Sequence, residues 1–89
     1  MSDGAVTADY LRNFTFEKPP LGKRGYNEKA VLDFVALCAR RLDGRGHLTA
    51  DDVRSVRFNK PPFGKRGYDE TQVDALLDEI AAAIVELDA

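Results

Sequence analysis

The stretch "KPPLGKRGY" at residues 18–26 returns as "KPPFGKRGY" at residues 60–68, with one letter changed and that letter still a large apolar residue. The similarity extends outward on both sides. When residues 7–35 are placed over residues 49–77, fifteen of the 29 aligned positions are identical. An internal repeat on this scale indicates that one structural unit is used twice, and it organises the rest of the sequence.

Each repeat is predicted to contain a short helix, an extended loop and a longer helix, so the predicted fold class is all-α. The two prolines of each "KPP" segment exclude helix and favour an extended path. The glycines on either side of Lys23 and Arg24 permit a sharp reversal. The segment "DGRG" at residues 43–46 ends the first long helix. The predicted boundaries are residues 5–42 for repeat 1, residues 43–47 for the linker and residues 48–88 for repeat 2.

Residues that favour the N-cap position stand where the predicted helices begin. Thr49 opens the second short helix, and Asp52 three residues later gives the pattern of a capping box. Asn27 and Asp69 open the two long helices, and Gln72 stands where it would complete a capping box with Asp69. These signals place the helix starts more firmly than the helix ends.

Both long helices carry an apolar stripe of the same kind, spaced as on one face of a helix. Each repeat is too small to fold alone, so we expect the two stripes to pack on each other in a coiled-coil-like manner. Parallel pairing, antiparallel pairing and exchange of repeats between two chains, as a homodimer or domain-swapped dimer, all stay open. The predicted helix-pairing residues are Val31, Phe34, Cys38, Leu42, Val73, Leu76, Ile80, Ile84 and Leu87.

Composition and charge exclude several classes of protein. The chain has 89 residues, is 44% hydrophobic and has a net charge of −2, which does not indicate a nucleic-acid-binding protein, and its basic loop tips form no wide basic face. The two repeated loops are basic and carry six of the 13 Lys and Arg residues, whereas the sequence from Asp69 onward has acidic residues and no basic one. A single cysteine, Cys38, cannot form an internal disulfide, which favours an intracellular location. No signal peptide or membrane span is expected.

Catalytic, metal and cofactor chemistry are not expected. His47 stands alone without a carboxylate or cysteine at ligand spacing, and Cys38 lies on an apolar stripe as a small core residue. The "GKRG" sequence lacks the rest of a P-loop and follows no strand. No combination of nucleophile, base and oxyanion donor is present, so we expect no enzyme and no cofactor.

The segments "KPPLGKRGYNEKAVLDF" and "LTADDVRSVRFNKPPFGKRGYDETQVDALLDEI" resemble the N-terminal domain of DivIVA, the bacterial cell-pole and division-site protein, and most closely its actinobacterial form, which organises polar growth. The resemblance covers nearly the whole chain, twice. It implies a domain that forms a parallel dimer, whose two loops cross and present an apolar tip residue beside basic residues to the inner face of the membrane. The implied membrane-binding residues are Leu21, Lys23, Arg24, Phe63, Lys65 and Arg66.

The chain departs from the family pattern in three ways. The long C-terminal coiled coil has no counterpart in these 89 residues, so a filament-forming scaffold is not expected. Tyr10 stands where the family favours an acid, whereas Asp52 keeps it. Two fused copies replace one, so a single chain would supply both halves of the contact. We expect a cytoplasmic adaptor, peripheral at the cell membrane and linked to cell division or polar growth in an actinobacterium.

Two alternatives stay open at the level of sequence. Leu21 and Phe63 are either membrane-inserting tips or core residues beneath the loops, and the glycine after each favours exposure. The module either binds an anionic membrane or pairs with itself or another DivIVA-like protein without binding lipid. The loop cations are either headgroup contacts, solvated charges or partners of the acidic last helix.

Overall fold

The computed structural model describes residues 6–89, and this part of the chain is all-α, as predicted. Residue 5, the predicted first residue of repeat 1, lies outside the described residues. Within that span the chain forms no β-strand. Its four helices are α1 (Ala8–Arg12), α2 (Glu28–Leu42), α3 (Ala50–Ser55) and α4 (Glu70–Asp88).

Three of the four helices begin with a side-chain cap. Thr7 and Asn27 each accept a hydrogen bond from the amide three residues further on, at 3.1 Å and 2.9 Å. Thr49 and Asp52 form the predicted capping box, with both bonds at 3.0 Å. These bonds satisfy amides that have no partner inside the helix, which stabilises α1 and α3 although each has fewer than two turns.

The predicted capping box at the start of α4 is wrong. Asp69 is the N-cap residue, but its side chain makes no capping hydrogen bond. The Gln72 side chain instead accepts a hydrogen bond from the backbone amide of Glu17 at 2.7 Å. The Asp69 amide donates to the Glu17 carbonyl at 2.9 Å. The start of α4 is therefore tied to the chain that precedes the first loop, a tertiary contact that the local pattern does not reveal.

The core lies between two helix pairs. Helix α1 packs on α2, α3 packs on α4, and α2 also contacts α4. Of the predicted helix-pairing residues, Phe34 and Leu42 are partly buried, and Leu87 is 48% exposed and does not join the core, since it lies in the last turn of α4. The buried apolar residues are Val6, Ala8, Leu11, Phe16, Val31, Val35, Cys38, Ala39, Val53, Val73, Leu76, Leu77, Ile80, Ala81 and Ile84.

Helices α2 and α4 run in the same direction. Their N-terminal ends are joined by a reciprocal backbone pair, in which the Tyr26 amide donates to the Tyr68 carbonyl and the Tyr68 amide donates to the Tyr26 carbonyl, both at 2.9 Å. Their C-terminal ends are joined by an ion pair of 2.6 Å between Arg41 and Asp88. Of the arrangements left open by the sequence, the chain has parallel helices within one molecule.

Arg41 occupies a position of the α2 stripe where an apolar residue would be expected. Its side chain is 15% exposed. The Nε group donates to the Leu48 carbonyl at 2.7 Å, and the same guanidinium holds both carboxylate oxygens of Asp88. This single side chain ties the end of α2 to the segment that leads into α3 and to the end of α4. The interruption of the stripe thus has a structural role in closing the molecule.

The pair formed by Tyr26 and Tyr68 requires a glycine before each tyrosine. A Cβ atom on Gly25 would lie 1.7 Å from the Tyr68 carbonyl oxygen, and one on Gly67 would lie 2.3 Å from the Tyr26 carbonyl oxygen. Both distances are far below the van der Waals contact distance, and both obstructing atoms belong to the backbone and cannot rotate away. The two chain segments can therefore cross only where side chains are absent.

We predict that Gly25→Ala destabilises the fold more than Gly64→Ala. Gly64 has a φ of 85° with open space around its Cα, so alanine there has only a strained backbone, which costs about 1–2 kcal/mol. Gly25 does not have a positive φ, so alanine there acts by collision, and we expect a loss of about 3 kcal/mol or more. Chemical denaturation of both variants measures the difference. An equal or smaller loss for Gly25→Ala would contradict the crossing described here.

Candidate functional site

Each repeated loop reverses in a four-residue tip turn, at residues 20–23 in loop 1 (residues 18–26) and at residues 62–65 in loop 2 (residues 60–68). The amide of the fourth residue donates to the carbonyl of the first, at 3.1 Å and 3.0 Å. The third residue, Gly22 or Gly64, has a φ of 82° or 85°. These are the features of a type II turn, which requires glycine at that position.

The second residue of each tip turn is a large apolar side chain in full contact with solvent. Leu21 is 88% exposed and Phe63 is 101% exposed. Of the two alternatives left open by the sequence, both side chains are at the surface and neither lies beneath its loop. An exposed phenylalanine gains nothing for folding, so the pair is unexplained by the packing of this chain.

Both tips lie at one end of the molecule. Leu21 and Phe63 are each five residues before the paired tyrosines, Tyr26 and Tyr68, so neither tip is more than about 17 Å of extended chain from the pair. The pair marks the end at which α2 and α4 begin. The far end of α4 is about 28 Å away along its axis. The two apolar side chains therefore share the end of the molecule that carries the loops.

The two loops cross and hold each other. The Arg24 guanidinium of loop 1 donates to the Pro61 carbonyl of loop 2, and the Arg66 guanidinium of loop 2 donates to the Pro19 carbonyl of loop 1. The Gly25 amide also donates to the Arg66 carbonyl at 2.8 Å. These reciprocal bonds, together with the tyrosine pair, join the loops into one body.

The six loop cations fall into three matched pairs with different surroundings. Lys18 pairs with Glu28, and Lys60 pairs with Glu70 at 2.7 Å. The two arginines donate to carbonyls of the opposite loop. Lys23 and Lys65 have no ion pair and no side-chain hydrogen bond within residues 6–89. The predicted site residues thus come together, but with distinct roles.

Aromatic rings of each repeat pack on the tyrosine of the other repeat at the crossing. Phe16 of repeat 1 stacks on Tyr68 of repeat 2, with ring centroids 4.8 Å apart, and Tyr26 of repeat 1 meets Phe58 of repeat 2 at 5.2 Å. The Tyr26 hydroxyl donates to Asp74 of α4 at 2.9 Å. Each tyrosine is thus held by the other repeat. Sequence reasoning missed these exchanged contacts, and the recurrence of both aromatic positions at the same offset is the signal that could have indicated them.

The described part of the chain carries neither a metal-binding cluster nor a membrane-spanning helix. Residues 6–89 contain no group of three or more His, Cys, Asp or Glu side chains arranged to hold a metal ion. None of the four helices combines the length and the apolar character that crossing a membrane requires. The crossed loops, which bring the predicted site residues together, are the candidate site.

Comparison with known proteins adds no relative on which to base an assignment. No family model, no curated protein and no solved structure matches this chain. The loops themselves and the sequence resemblance of their motif are what point to a function.

Two neutral groups in the core have raised pKa values. Burial, followed by the hydrogen bond to Asp74, raises the pKa of Tyr26 to about 12 from an ordinary value of 10.0. Burial raises the pKa of the Cys38 thiol to about 12 from 9.0. In both cases the folded chain keeps a proton that the unfolded chain releases at lower pH.

We predict that the free energy of unfolding is independent of these groups below pH 9 and falls between pH 9 and pH 12. A group whose folded pKa is raised stabilises the fold below its unfolded pKa, and this contribution is lost as pH rises through the folded pKa. Denaturant unfolding at each pH measures the slope. Cys38→Ala should remove the part of the fall that begins at pH 9, and Tyr26→Phe the part that begins at pH 10. A stability that stays flat to pH 12 would contradict the prediction.

Proposed function

We propose that this chain is a tandem DivIVA-like domain that acts as a non-enzymatic adaptor at an anionic membrane surface. In this proposal the sequence repeat is a duplication, the long helices pair in a coiled-coil-like manner, and one chain supplies both halves of a two-loop contact. The site is the inner face of the cell membrane at a pole, septum or growth zone. The proposed membrane-binding residues are Leu21, Lys23, Arg24, Phe63, Lys65 and Arg66.

The observation that carries the proposal is the pair of exposed apolar tips at one end of the molecule, each followed by a basic pair. Leu21 and Phe63 have no packing role in the chain, and each is held at the apex of a tight turn. A stiff turn favours insertion, because little conformational entropy remains to be lost when the tip enters the headgroup region. The lysine two residues beyond each tip would then meet the headgroups.

The strength of such binding is modest. Burying a leucine or phenylalanine contributes about 1.5–3 kcal/mol, and each basic residue near an anionic leaflet about 1 kcal/mol. Two tips and a few cations therefore support weak and reversible binding, and several copies on one surface would be needed for firm recruitment. These magnitudes suit an adaptor that is brought to a site together with others.

We predict that Leu21→Asp/Phe63→Asp weakens sedimentation with vesicles of phosphatidylglycerol and phosphatidylcholine by at least tenfold. The change removes both insertions and adds two negative charges near an anionic surface. Leu37→Asp is the matched control, because Leu37 is 51% exposed on α2 and is outside the loops. The control should bind as the unaltered protein does, and binding should fall as salt is raised. Equal partitioning of the tip variant and the unaltered protein would defeat the proposal.

A second candidate function is favoured by the way the two repeats join. The two repeats are joined by backbone amides and carbonyls beside glycines and by aromatic rings that pack on the opposite repeat. A related repeat on another protein would carry the same groups, so it could replace either repeat at the crossing. In this alternative the chain pairs with a full-length DivIVA-type scaffold and lipid is irrelevant.

A pull-down against a full-length DivIVA-type scaffold separates the two functions. The membrane proposal predicts that the chain sediments with anionic vesicles without the scaffold, and that the scaffold captures little of it when vesicles are absent. The alternative predicts capture without lipid, and predicts that Leu21→Asp/Phe63→Asp is captured as well as the unaltered chain. Capture that depends on the tips but not on lipid would contradict both.

A further inference from the structure

We infer that Arg24 and Arg66 are positioning residues that lock the two tips into one rigid contact unit, and that Lys23 and Lys65 are the cations left to meet an anionic surface. The first half of this inference concerns the free chain alone. The second half rests on the proposed membrane function. The resemblance implies that all four cations are equivalent headgroup contacts, whereas this inference gives the arginines and the lysines different roles.

Each arginine reaches across to the loop that it does not belong to. Arg24 donates to Pro61, and Arg66 donates to Pro19. Both prolines are buried, and no other donor to either carbonyl is found among residues 6–89. Both prolines lie outside the helices, so their carbonyls have no helical donor. The guanidinium supplies a donor from a planar group with several N–H bonds.

The bonded proline stands immediately before the tip turn of its loop. Pro61 precedes residues 62–65, which carry Phe63 at the apex. An arginine bound at Pro61 therefore anchors the base of the turn that holds Phe63, and the reciprocal bond does the same for Leu21. Each tip is fixed by the other loop, so the two apolar side chains behave as one unit and not as two independent arms.

The lysine side chains, unlike those of the arginines, make no bond to the opposite loop. Lys23 and Lys65 contribute only their amides to the tip turns, at 3.1 Å and 3.0 Å. Their ammonium groups have no partner within the described part of the chain and stand one residue beyond the turn glycine. A compact, flexible point charge in this position suits contact with phosphate oxygens of varied geometry. All four side chains are exposed, and within each adjacent Lys-Arg pair only the arginine is bonded to the opposite loop.

The decisive feature is that an arginine substitution should act on the opposite loop. In the free protein, we expect Arg24→Gln to lower the backbone 15N order parameters of Phe63 and Gly64 into the flexible range, below about 0.6. Arg66→Gln should do the same to Leu21 and Gly22. Lys23→Gln is the matched control, because it removes the same charge one residue away, and it should leave the order parameters of both tips unchanged.

The order-parameter measurement uses the free protein and needs no lipid. Unchanged order at Phe63 in Arg24→Gln would overturn the positioning role, and so would an equal loss of order in Lys23→Gln. If Arg24→Gln fails to fold, Arg24→Lys serves in its place, since it keeps the charge and loses the planar guanidinium. The same effect on the opposite tip is then expected, and an ordered tip would overturn the inference.

A second arm uses the phosphatidylglycerol vesicles. Lys23→Gln/Lys65→Gln should lose at least tenfold in affinity with both tips still ordered. Arg24→Lys/Arg66→Lys keeps all charges and should also lose affinity, now with mobile tips. Full affinity in that charge-conserving variant would mean that the arginines act as simple cations, which would overturn the inference. Failure of the unaltered chain to bind vesicles would defeat the proposed function and the lysine role, while the free-protein arm would still decide the arginine role.

Discussion

The structure depends on one backbone exchange, in which Tyr26 and Tyr68 each donate to the carbonyl of the other at 2.9 Å. Two short helical hairpins with small cores would be marginal alone. The exchange brings their N-terminal ends together, and it can form only because Gly25 and Gly67 present no Cβ atom to the opposing carbonyl oxygen. From this point α2 and α4 leave in the same direction, which allows their apolar stripes to meet, and the loops before them are forced to cross.

The crossing also explains why the exposed tips are compatible with a well-packed chain. The rings of Phe16 and Phe58, which lie between each short helix and the loop that follows it, pack against the tyrosines of the opposite repeat. Leu21 and Phe63 take no part in this packing and are exposed. The contacts that hold the two loops together therefore leave the two tip side chains exposed. A flexible loop with the same residues would be free to fold its apolar tip back onto the core.

The sequence predicts what depends on local pattern and fails where a tertiary partner decides. The all-α class, the helix starts at Thr49 and Asn27 and the sharp turn at Gly22 are all local properties, and each is found. Gln72 had the right spacing for a capping box, yet the Glu17 amide competes for its oxygen. The roles of Arg24 and Arg66 could not be predicted either, because their acceptors are backbone carbonyls 37 and 47 residues away and no side-chain pattern marks a backbone acceptor.

Joining both repeats in one chain changes the physics of the crossed loops. Between separate chains the crossing would form only as far as concentration allowed, whereas a short linker gives the second repeat an effective concentration in the millimolar range. Arg41 strengthens this effect, because it ties the end of α2 to Leu48 and to Asp88 and so holds the second repeat against the first. Two repeats in one chain can also differ in sequence. One tip is leucine and the other phenylalanine, and Asp74 bonds Tyr26 where the equivalent position in α2 is Leu32, so a single chain can carry an asymmetric contact that two identical copies could not.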